Sequence, residues 1–150
     1  MVKTPMATEE IEKLLSRVLV GRLAMCKNSR PYVIPMCFLY WKQKIYFHCG
    51  FRGRKNRYVK TNPEVCFQVD EHQLAPSRVP CDFTLHYQSV LVFGKVRFRE
   101  DPEEKLEILR MMLDKYDTSK HARPLDESAI SEVQIGEIVV EEITGVRSSK

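Results

Sequence analysis

Paired cysteines are missing from this chain, although cysteine itself is present. The 150 residues include five cysteines, an odd number, and no two of them are spaced as Cys-x-x-Cys. A secreted disulfide framework more often has an even count, and a zinc site needs closely spaced ligands. We therefore expect reduced thiols in a cytoplasmic protein, and no metal site. The cysteines are Cys26, Cys37, Cys49, Cys66 and Cys81.

Long apolar segments are missing as well. The N-terminal residues lack the apolar stretch of a signal peptide, and no apolar run approaches the roughly 20 residues that cross a bilayer. The sequence also shows no internal repeat, no low-complexity tract and no break in composition. It therefore predicts one cytoplasmic domain over residues 1–150 that does not enter a membrane.

The sequence lacks a strong excess of charge of either sign. The chain has 24 basic and 20 acidic residues, which give a formal net charge of +4. This balance favours an anionic ligand but does not require nucleic acid as a partner. Hydrophobic residues make up 43% of the chain, close to the average for a soluble globular protein, so a hydrophobic core is expected.

Three segments carry helix signals. Residues 8–17 have an apolar face and begin at Thr8, which could cap the helix. Residues 54–61 form a short helical segment that ends before a proline. Asp101 is a cap residue followed by proline, and it predicts a third helix over 102–116.

Alternating apolar residues predict strands in six segments. The connections between them are mostly too short for parallel crossovers, and Gly94 marks a bulge or bend in the fifth. Residues 71–83 and 118–131 are predicted to be loops. The pattern favours a mainly-β fold, an antiparallel barrel of six or seven strands with flanking helices. The predicted strands are residues 18–26, 32–40, 44–49, 64–70, 87–99 and 133–143.

The turn after the third predicted strand carries the clearest functional signal. Gly50 and Gly53 permit an unusual backbone path there, and a helix then begins with Arg54 and Lys55. The start of a helix exposes N–H groups and partial positive charge, and two cations at the same end favour a bound phosphate. A solvated basic turn is the structural alternative. A nucleic-acid patch over residues 52–60 is another.

A histidine and two cysteines near this turn also have ordinary structural explanations. His48 stands at a strand end, where a hydrogen-bonded or surface histidine is more frequent than a catalytic one. Cys37 and Cys49 lie among apolar neighbours, and nothing near them in the sequence activates their thiols. Packing is the favoured interpretation for both cysteines, and a redox role stays open.

Seven short stretches, ordered over roughly residues 15–116, carry a further signal. They are GRLAM (21–25), RPYVIPM (30–36), IYFH (45–48), GRK (53–55), NPEVCF (62–67), YQSVLVFG (87–94) and EDPEEK (100–105). No single stretch is diagnostic, but the ordered set is fairly specific. It resembles the flavin-binding split-barrel family related to pyridoxamine 5'-phosphate oxidase, in particular the branch of nitroimidazole-resistance proteins.

This resemblance implies a split β-barrel that works as a homodimer, with FMN in a groove at the dimer interface. Arg54 and Lys55 would bind the FMN phosphate, and the strand from Tyr32 to Cys37 would lie along the flavin ring with its backbone groups. His48 would face the substrate side and is the candidate catalytic residue. The other residues expected near FMN are Val33, Pro35, Met36, Cys37, Phe47, Ser89 and Gln88 of the partner subunit.

The resemblance further implies an FMN-dependent oxidoreductase of small molecules, such as nitroaromatic or quinone-like compounds. The residues that bind pyridoxal phosphate in the true oxidases are not recognisable in this sequence, so vitamin B6 is not the expected substrate. One alternative is a non-catalytic protein that binds flavin, haem or deazaflavin. Another is a regulatory domain that binds nucleic acid through residues 52–60.

Overall fold

The computed structural model describes residues 2–79, 84–117, 125 and 127–149. These residues form eight strands and four helices. In chain order they are β1 Val2–Pro5, α1 Thr8–Arg17, β2 Val20–Lys27, β3 Arg30–Cys37, β4 Leu39–Trp41, β5 Lys44–Cys49, α2 Arg54–Thr61, β6 Glu64–Ala75, β7 Thr84–Arg99, α3 Pro102–Tyr116, α4 Glu127–Ser131 and β8 Gln134–Ser149. None of the four described helices combines the length and apolar character needed to cross a bilayer.

All strand pairs of the described sheet are antiparallel. The order is β3-β2-β6-β7-β8-β5-β4, and β1 adds to β8. This confirms the predicted mainly-β class with flanking helices. The strand count exceeds the expected six or seven, because β1 carried no sequence signal and Phe38 divides the predicted strand 32–40 into β3 and β4. At Gly94 the β7–β8 register shifts, as predicted.

Two tight hairpins set the register at the edges of the sheet. Asn28 and Ser29 join β2 to β3 with φ of 50° and 60°, and Lys42 and Gln43 join β4 to β5 with φ of 49° and 59°. Positive φ at both central residues matches the twist of the flanking strands and holds a two-residue turn. The two turns lie in the short connections between the first three predicted strands.

The main core fills the inside of the curved sheet. Val65, Phe67 and Val69 alternate along β6 as buried residues, and the ring of Phe67 meets that of Phe38 edge-on at 4.9 Å between centroids. Helix α1 adds the buried Ile11, Leu14 and Leu15. The buried residues of β6 are the inward half of a period-2 pattern, and this pattern fixes which face of the strand meets solvent.

A second, smaller core lies on the outer surface, between α3 and the sheet. Ile108 and Met112 of α3 pack there with Leu39, Tyr46 and Ile135. The helix starts where the Glu104 N–H donates to the Asp101 carboxylate at 3.0 Å, so the predicted cap is confirmed. Helix α3 therefore covers one side of β4, β5 and β8.

The C-terminal end of α3 is fastened to the junction of β3 and β4. The Tyr116 hydroxyl accepts from the Phe38 N–H at 2.8 Å and lies 2.7 Å from the Leu19 carbonyl oxygen. Lys115 Nζ donates to the Phe38 carbonyl at 3.1 Å. Burial lowers the pKa of Lys115 to about 8 and raises the pKa of Tyr116 to about 12. These contacts hold the end of β3 in place.

Several predicted boundaries were wrong. Ala7, not Thr8, precedes the first helical turn, and its N–H donates to the Glu10 carboxylate at 2.8 Å. The predicted loop 71–83 is strand as far as Ala75, because β6 pairs with β7 from Thr84 onward. Residues 71–74 of that extension are exposed and the first three are polar, which resembles a loop in sequence.

The C-terminal segments also differ from the prediction. Residues 127–131 form α4 within the predicted connection, and β8 continues to Ser149 beyond the predicted end at residue 143. The rest of both predicted loops includes residues 80–83, 118–124 and 126, which lie outside the described residues, as does Cys81. The four described cysteines are free thiols.

Two glycines let aromatic rings of the core lie directly against neighbouring strands. A Cβ added at Gly21 would lie 2.0 Å from Cζ of Phe67, and one at Gly136 would lie 2.2 Å from Cζ of Phe47. Gly136 faces Phe47 in the β5–β8 register, next to the predicted phosphate turn. Because residue 136 has no side chain, the Phe47 ring of β5 can pack directly against β8.

We expect Gly136→Ala to lower the free energy of unfolding by about 1–3 kcal/mol, because the Phe47 ring must leave its packed position. Gly50→Ala is the matched control, since a Cβ there meets nothing within 4 Å, and its effect should stay within about 0.5 kcal/mol. Urea denaturation measures both variants. Equal destabilisation by the two substitutions would contradict this account of Gly136.

Candidate functional site

Strand β3 forms one end of the described sheet. It pairs with β2 alone, so the N–H and C=O groups along its other edge have no partner strand in the described sheet. Pro35 lies on this edge strand, where a residue without an N–H is tolerated. Val33, Pro35 and Cys37 are exposed on one face, whereas Tyr32, Ile34 and Met36 pack against the core on the other. Met36 is only partly exposed, on the face opposite to Val33, Pro35 and Cys37.

The turn between β5 and α2 is built around a buried amide that sequence reasoning missed. Asn56 is 3% exposed, and its Nδ2 donates to the Gly50 carbonyl at 2.6 Å. The Cys49 thiol donates to Asn56 Oδ1 at 3.7 Å. Gly53 precedes α2 with φ of 118°, a conformation that L side chains rarely adopt. A polar residue flanked by basic ones gave no hint that Asn56 is buried.

Arg54 and Lys55 both point from the start of α2 toward the gap between β3 and β5. The Arg54 guanidinium lies 5.4 Å from the centroid of the Tyr32 ring on β3. Lys55 Nζ lies 5.1 Å from the centroid of the Phe47 ring on β5. Within the described part of the chain, neither cation forms an ion pair with a carboxylate. The site therefore carries uncompensated positive charge.

Lys55 is the more buried of the two cations. Burial lowers the pKa of its ammonium group, and interaction with the Cys49 thiol offsets part of that effect. Burial also raises the pKa of Cys49, so this cysteine stays a thiol near neutral pH. An anion placed next to Lys55 would restore its preference for the charged state.

His48 lies on the other face of β5 from Phe47 and Cys49. Its side chain is exposed, in contrast to the buried ring of Phe47. Surrounding protein lowers the pKa of His48 by desolvation, and the positive charge of Lys55 lowers it further. The imidazole is therefore neutral near pH 7 and sits within electrostatic range of the cation pair.

A cavity of about 340 Å³ adjoins His48 and lies under α3. Cys37 at the end of β3 and His48 on β5 form its border with the gap described above. The cavity therefore continues the open edge of the barrel. Its described lining consists of Cys37, His48, Leu109, Met112, Leu113, Tyr116, Leu125 and Val133.

Gln88 and Ser89 lie far from this site within one chain. Ile135 pairs with His48, and Arg147 pairs with Gln88, twelve residues further along β8. That separation is a path of about 40 Å along the strand. Gln88 Oε1 accepts from Arg17 at 3.2 Å, and Ser89 Oγ accepts from Gln68 at 3.4 Å. The structure thus brings together the predicted residues on β3, β5 and α2, but not these two.

Replacing Lys55 with methionine should raise the pKa of His48, because a nearby positive charge disfavours the imidazolium. The pKa should stay below its ordinary value, since burial is the larger cause of the shift. Arg54→Met is the matched control and should leave the His48 titration unchanged. NMR titration of the His48 ring, assigned with His48→Gln, measures the effect. An unchanged titration in Lys55→Met would contradict the placement of these two groups.

Comparisons with known proteins agree with this arrangement. The family model of pyridoxamine 5'-phosphate oxidase matches residues 7–147. A solved structure of a candidate 5-nitroimidazole antibiotic resistance protein from Bacteroides thetaiotaomicron has a TM-score of 0.84 and 25% identity, covering 97% of this chain and 87% of that one. A FAD-binding protein from Mesorhizobium loti has a TM-score of 0.70 and 28% identity, covering 99% and 100%.

One curated protein is also similar in sequence. An uncharacterized protein of Rhizobium meliloti (strain 1021) is 28% identical over 97 residues, which span 65% of this chain and 56% of that protein. The matched segment is thus little more than half of that relative. The resemblance seen in the ordered sequence stretches is confirmed by the family match over residues 7–147, and the chain belongs to the pyridoxamine 5'-phosphate oxidase family.

Proposed function

We propose that this protein binds FMN through its phosphate and transfers electrons from the flavin to a small molecule. The observation that carries the proposal is the pair of cations at the start of α2. Arg54 lies beside Tyr32 of the edge strand β3, Lys55 lies beside Phe47 of β5, and neither has a carboxylate partner among the described residues. A phosphate would neutralise both charges.

The donor set fits a phosphate monoester. A guanidinium can donate two parallel hydrogen bonds to phosphate oxygens, and an ammonium adds a point charge. The first N–H groups of α2 have no intrahelical acceptor and point toward the same place. The charge of a bound dianion would also offset the effect of desolvation, which lowers the pKa of Lys55. The turn is preorganised by the Asn56–Gly50 hydrogen bond, so little ordering is needed on binding.

The flavin ring would then lie along the free edge of β3. The exposed side of Val33, Pro35 and Cys37 and the unpaired backbone groups of the strand supply its wall. Phe47 is fully buried, so it supports Lys55 from behind rather than touching the ring with an exposed face. The FAD-binding relative is a reason to test FAD beside FMN.

When bound, FMN supplies the hydride or electron chemistry, and the chain holds and orients it. His48 lies on the opposite face of β5 from Phe47, close enough to Lys55 for that charge to lower its pKa. As a neutral imidazole it can donate or accept one hydrogen bond at a substrate atom. We assign His48 to substrate positioning and propose nitroaromatic or quinone-like acceptors as the substrate class.

A second copy of the chain completes the proposed site. The outward face of β2, β3 and β7 exposes Val20, Val33 and Phe93, at 43%, 56% and 38% of their surfaces. An apolar face of this kind is stabilised when another subunit covers it. Gln88 and Ser89 lie too far along β7 to reach their own Lys55, and we propose that Gln88 of the partner subunit approaches the cofactor.

Removing the two cations together should abolish phosphate recognition. Charge-assisted hydrogen bonds contribute about 1.5–3 kcal/mol each, so Arg54→Ala with Lys55→Ala should weaken FMN binding at least about 100-fold. Riboflavin, which lacks the phosphate, should bind the double variant and the unaltered protein alike. Quenching of flavin fluorescence measures both ligands, with FAD as a third.

Arg57→Ala with Lys60→Ala is the matched control, because it removes the same charge from exposed positions of the same helix. It should bind FMN like the unaltered protein. Equal loss in the two double variants would show a general charge effect and contradict the phosphate assignment. The absorption spectrum of the purified protein separates this proposal from a haem protein, which would show a Soret band, and from a deazaflavin protein.

Mixed dimers test the contribution of the second copy. We expect Gln88→Ala to weaken FMN binding several-fold, although Gln88 lies far from Lys55 in its own chain. Refolding it together with the Arg54→Ala, Lys55→Ala chain yields mixed dimers, each with one site that has both the cations and Gln88. These dimers should bind one FMN with the unaltered affinity. If no site in the mixture binds FMN with the unaltered affinity, a site built from both subunits is contradicted.

A further inference from the structure

The cavity under α3 lies at the substrate end of the proposed flavin groove. Its volume is about 340 Å³, within the usual range for small-molecule pockets. Cys37 and His48 separate it from the open edge of β3, whereas Arg54 and Lys55 lie at the start of α2 on the other side of β5. A ligand in the cavity would approach the groove without touching the phosphate site.

The cavity wall is nearly free of charge. Five of its eight described side chains are leucine, methionine or valine, and none of the eight is Arg, Lys, Asp or Glu. The Tyr116 hydroxyl is already bonded to Phe38, and the neighbouring Lys115 directs its ammonium to the Phe38 carbonyl. A phosphate or carboxylate moved into this cavity would lose its hydration and gain no ion pair from these eight side chains.

The volume sets the size of ligand. An apolar cavity of about 150 Å³ holds one benzene molecule in another protein. The present cavity has a little more than twice that volume, about 340 Å³. It therefore accommodates about two fused six-membered rings and not a larger polycyclic molecule.

One polar group of the wall is free to orient such a ligand. His48 forms no hydrogen bond with another described residue, and its exposed ring borders the cavity. Because desolvation and Lys55 keep the imidazole neutral near pH 7, it favours an uncharged carbonyl or hydroxyl over an anion. A single hydrogen bond in an otherwise apolar wall fixes orientation.

We propose that the cavity under α3 selects uncharged aromatic molecules of about two fused rings that carry a carbonyl or hydroxyl group toward His48, and that it rejects phosphorylated compounds. The inference that these molecules are substrates rests on the proposed function. The inference that the cavity binds this class of ligand depends only on the cavity itself. Leu113, which is only partly buried and lines the cavity from α3, is then a specificity-determining residue.

A matched pair of probes tests the proposal. 1-Naphthol and 1-naphthyl phosphate share one ring system and differ by the phosphate. With saturating FMN, which occupies the phosphate site if the proposed function holds, calorimetry should show saturable binding of 1-naphthol and at least tenfold weaker binding of the phosphate ester. Equal or tighter binding of the ester would overturn the proposal.

A filling substitution locates the binding. Leu113→Trp should weaken 1-naphthol binding at least tenfold, because the larger side chain occupies the cavity. Leu106→Trp is the matched control: Leu106 is also partly buried on α3, two turns before Leu113, and does not line the cavity. Leu106→Trp should bind 1-naphthol with the same affinity as the unaltered protein. Equal binding of 1-naphthol by the two variants would overturn the placement.

FMN titration of the same proteins distinguishes failure of the cavity inference from failure of the proposed function. If FMN binds and 1-naphthol does not, the inference about the cavity is wrong while the proposed function stands. If 1-naphthol binds with the expected sensitivity to Leu113→Trp and FMN does not bind, the proposed function is wrong and the ligand class of the cavity is supported. The circular dichroism spectrum and the urea denaturation midpoint of Leu113→Trp should match those of the unaltered protein, which shows that the variant is folded.

Discussion

Two positive charges without a carboxylate partner stand where the curved sheet leaves β3 unpaired, and the other features of the site are arranged around them. Lys55 is partly buried, so its charge is costly in the absence of an anion. The turn that carries it is held by the buried Asn56 and permitted by Gly53. A helix would be more stable with acidic residues in its first turn, yet α2 begins with two bases. Such a loss of local stability is expected where a helix start serves to bind an anion, as proposed for α2.

Some other cations of the described chain are neutralised by carboxylates. Glu137, fully buried in β8, is surrounded by Lys44, Arg97 and Arg99, all within 3.5 Å of its carboxylate. Further cations are paired in the same way at the surface, where each pair contributes little to stability. These pairs are Arg17–Glu71, Arg22–Asp70, Lys95–Glu64, Arg99–Glu104 and Arg147–Glu10. Arg54 and Lys55, like several other described cations, have no carboxylate partner, and it is their place beside β3 and β5 that a phosphate ligand would use.

Sequence reasoning succeeded where the signal is local. The bounds of β5 and α2 follow from alternation, glycine and a following proline, and all three can be read within a few residues. It failed where the deciding contact is distant in sequence. Asn56 is buried because Gly50 and Gln134 lie around it, and β6 reaches Ala75 because Thr84 pairs with it. The cavity under α3 brings together β3, β5 and α3, so no window of the sequence contains it.

The two ends of the proposed groove use opposite physical means of recognition. At the start of α2, charge and backbone N–H groups select a phosphate, and apolar contacts contribute little. Under α3, apolar walls and one neutral histidine select an uncharged ring, and a phosphate would remain unpaired there. A phosphorylated substrate would therefore favour the cofactor's anchor over the substrate cavity. If both proposals hold, the chain separates its cofactor from its substrate by charge alone.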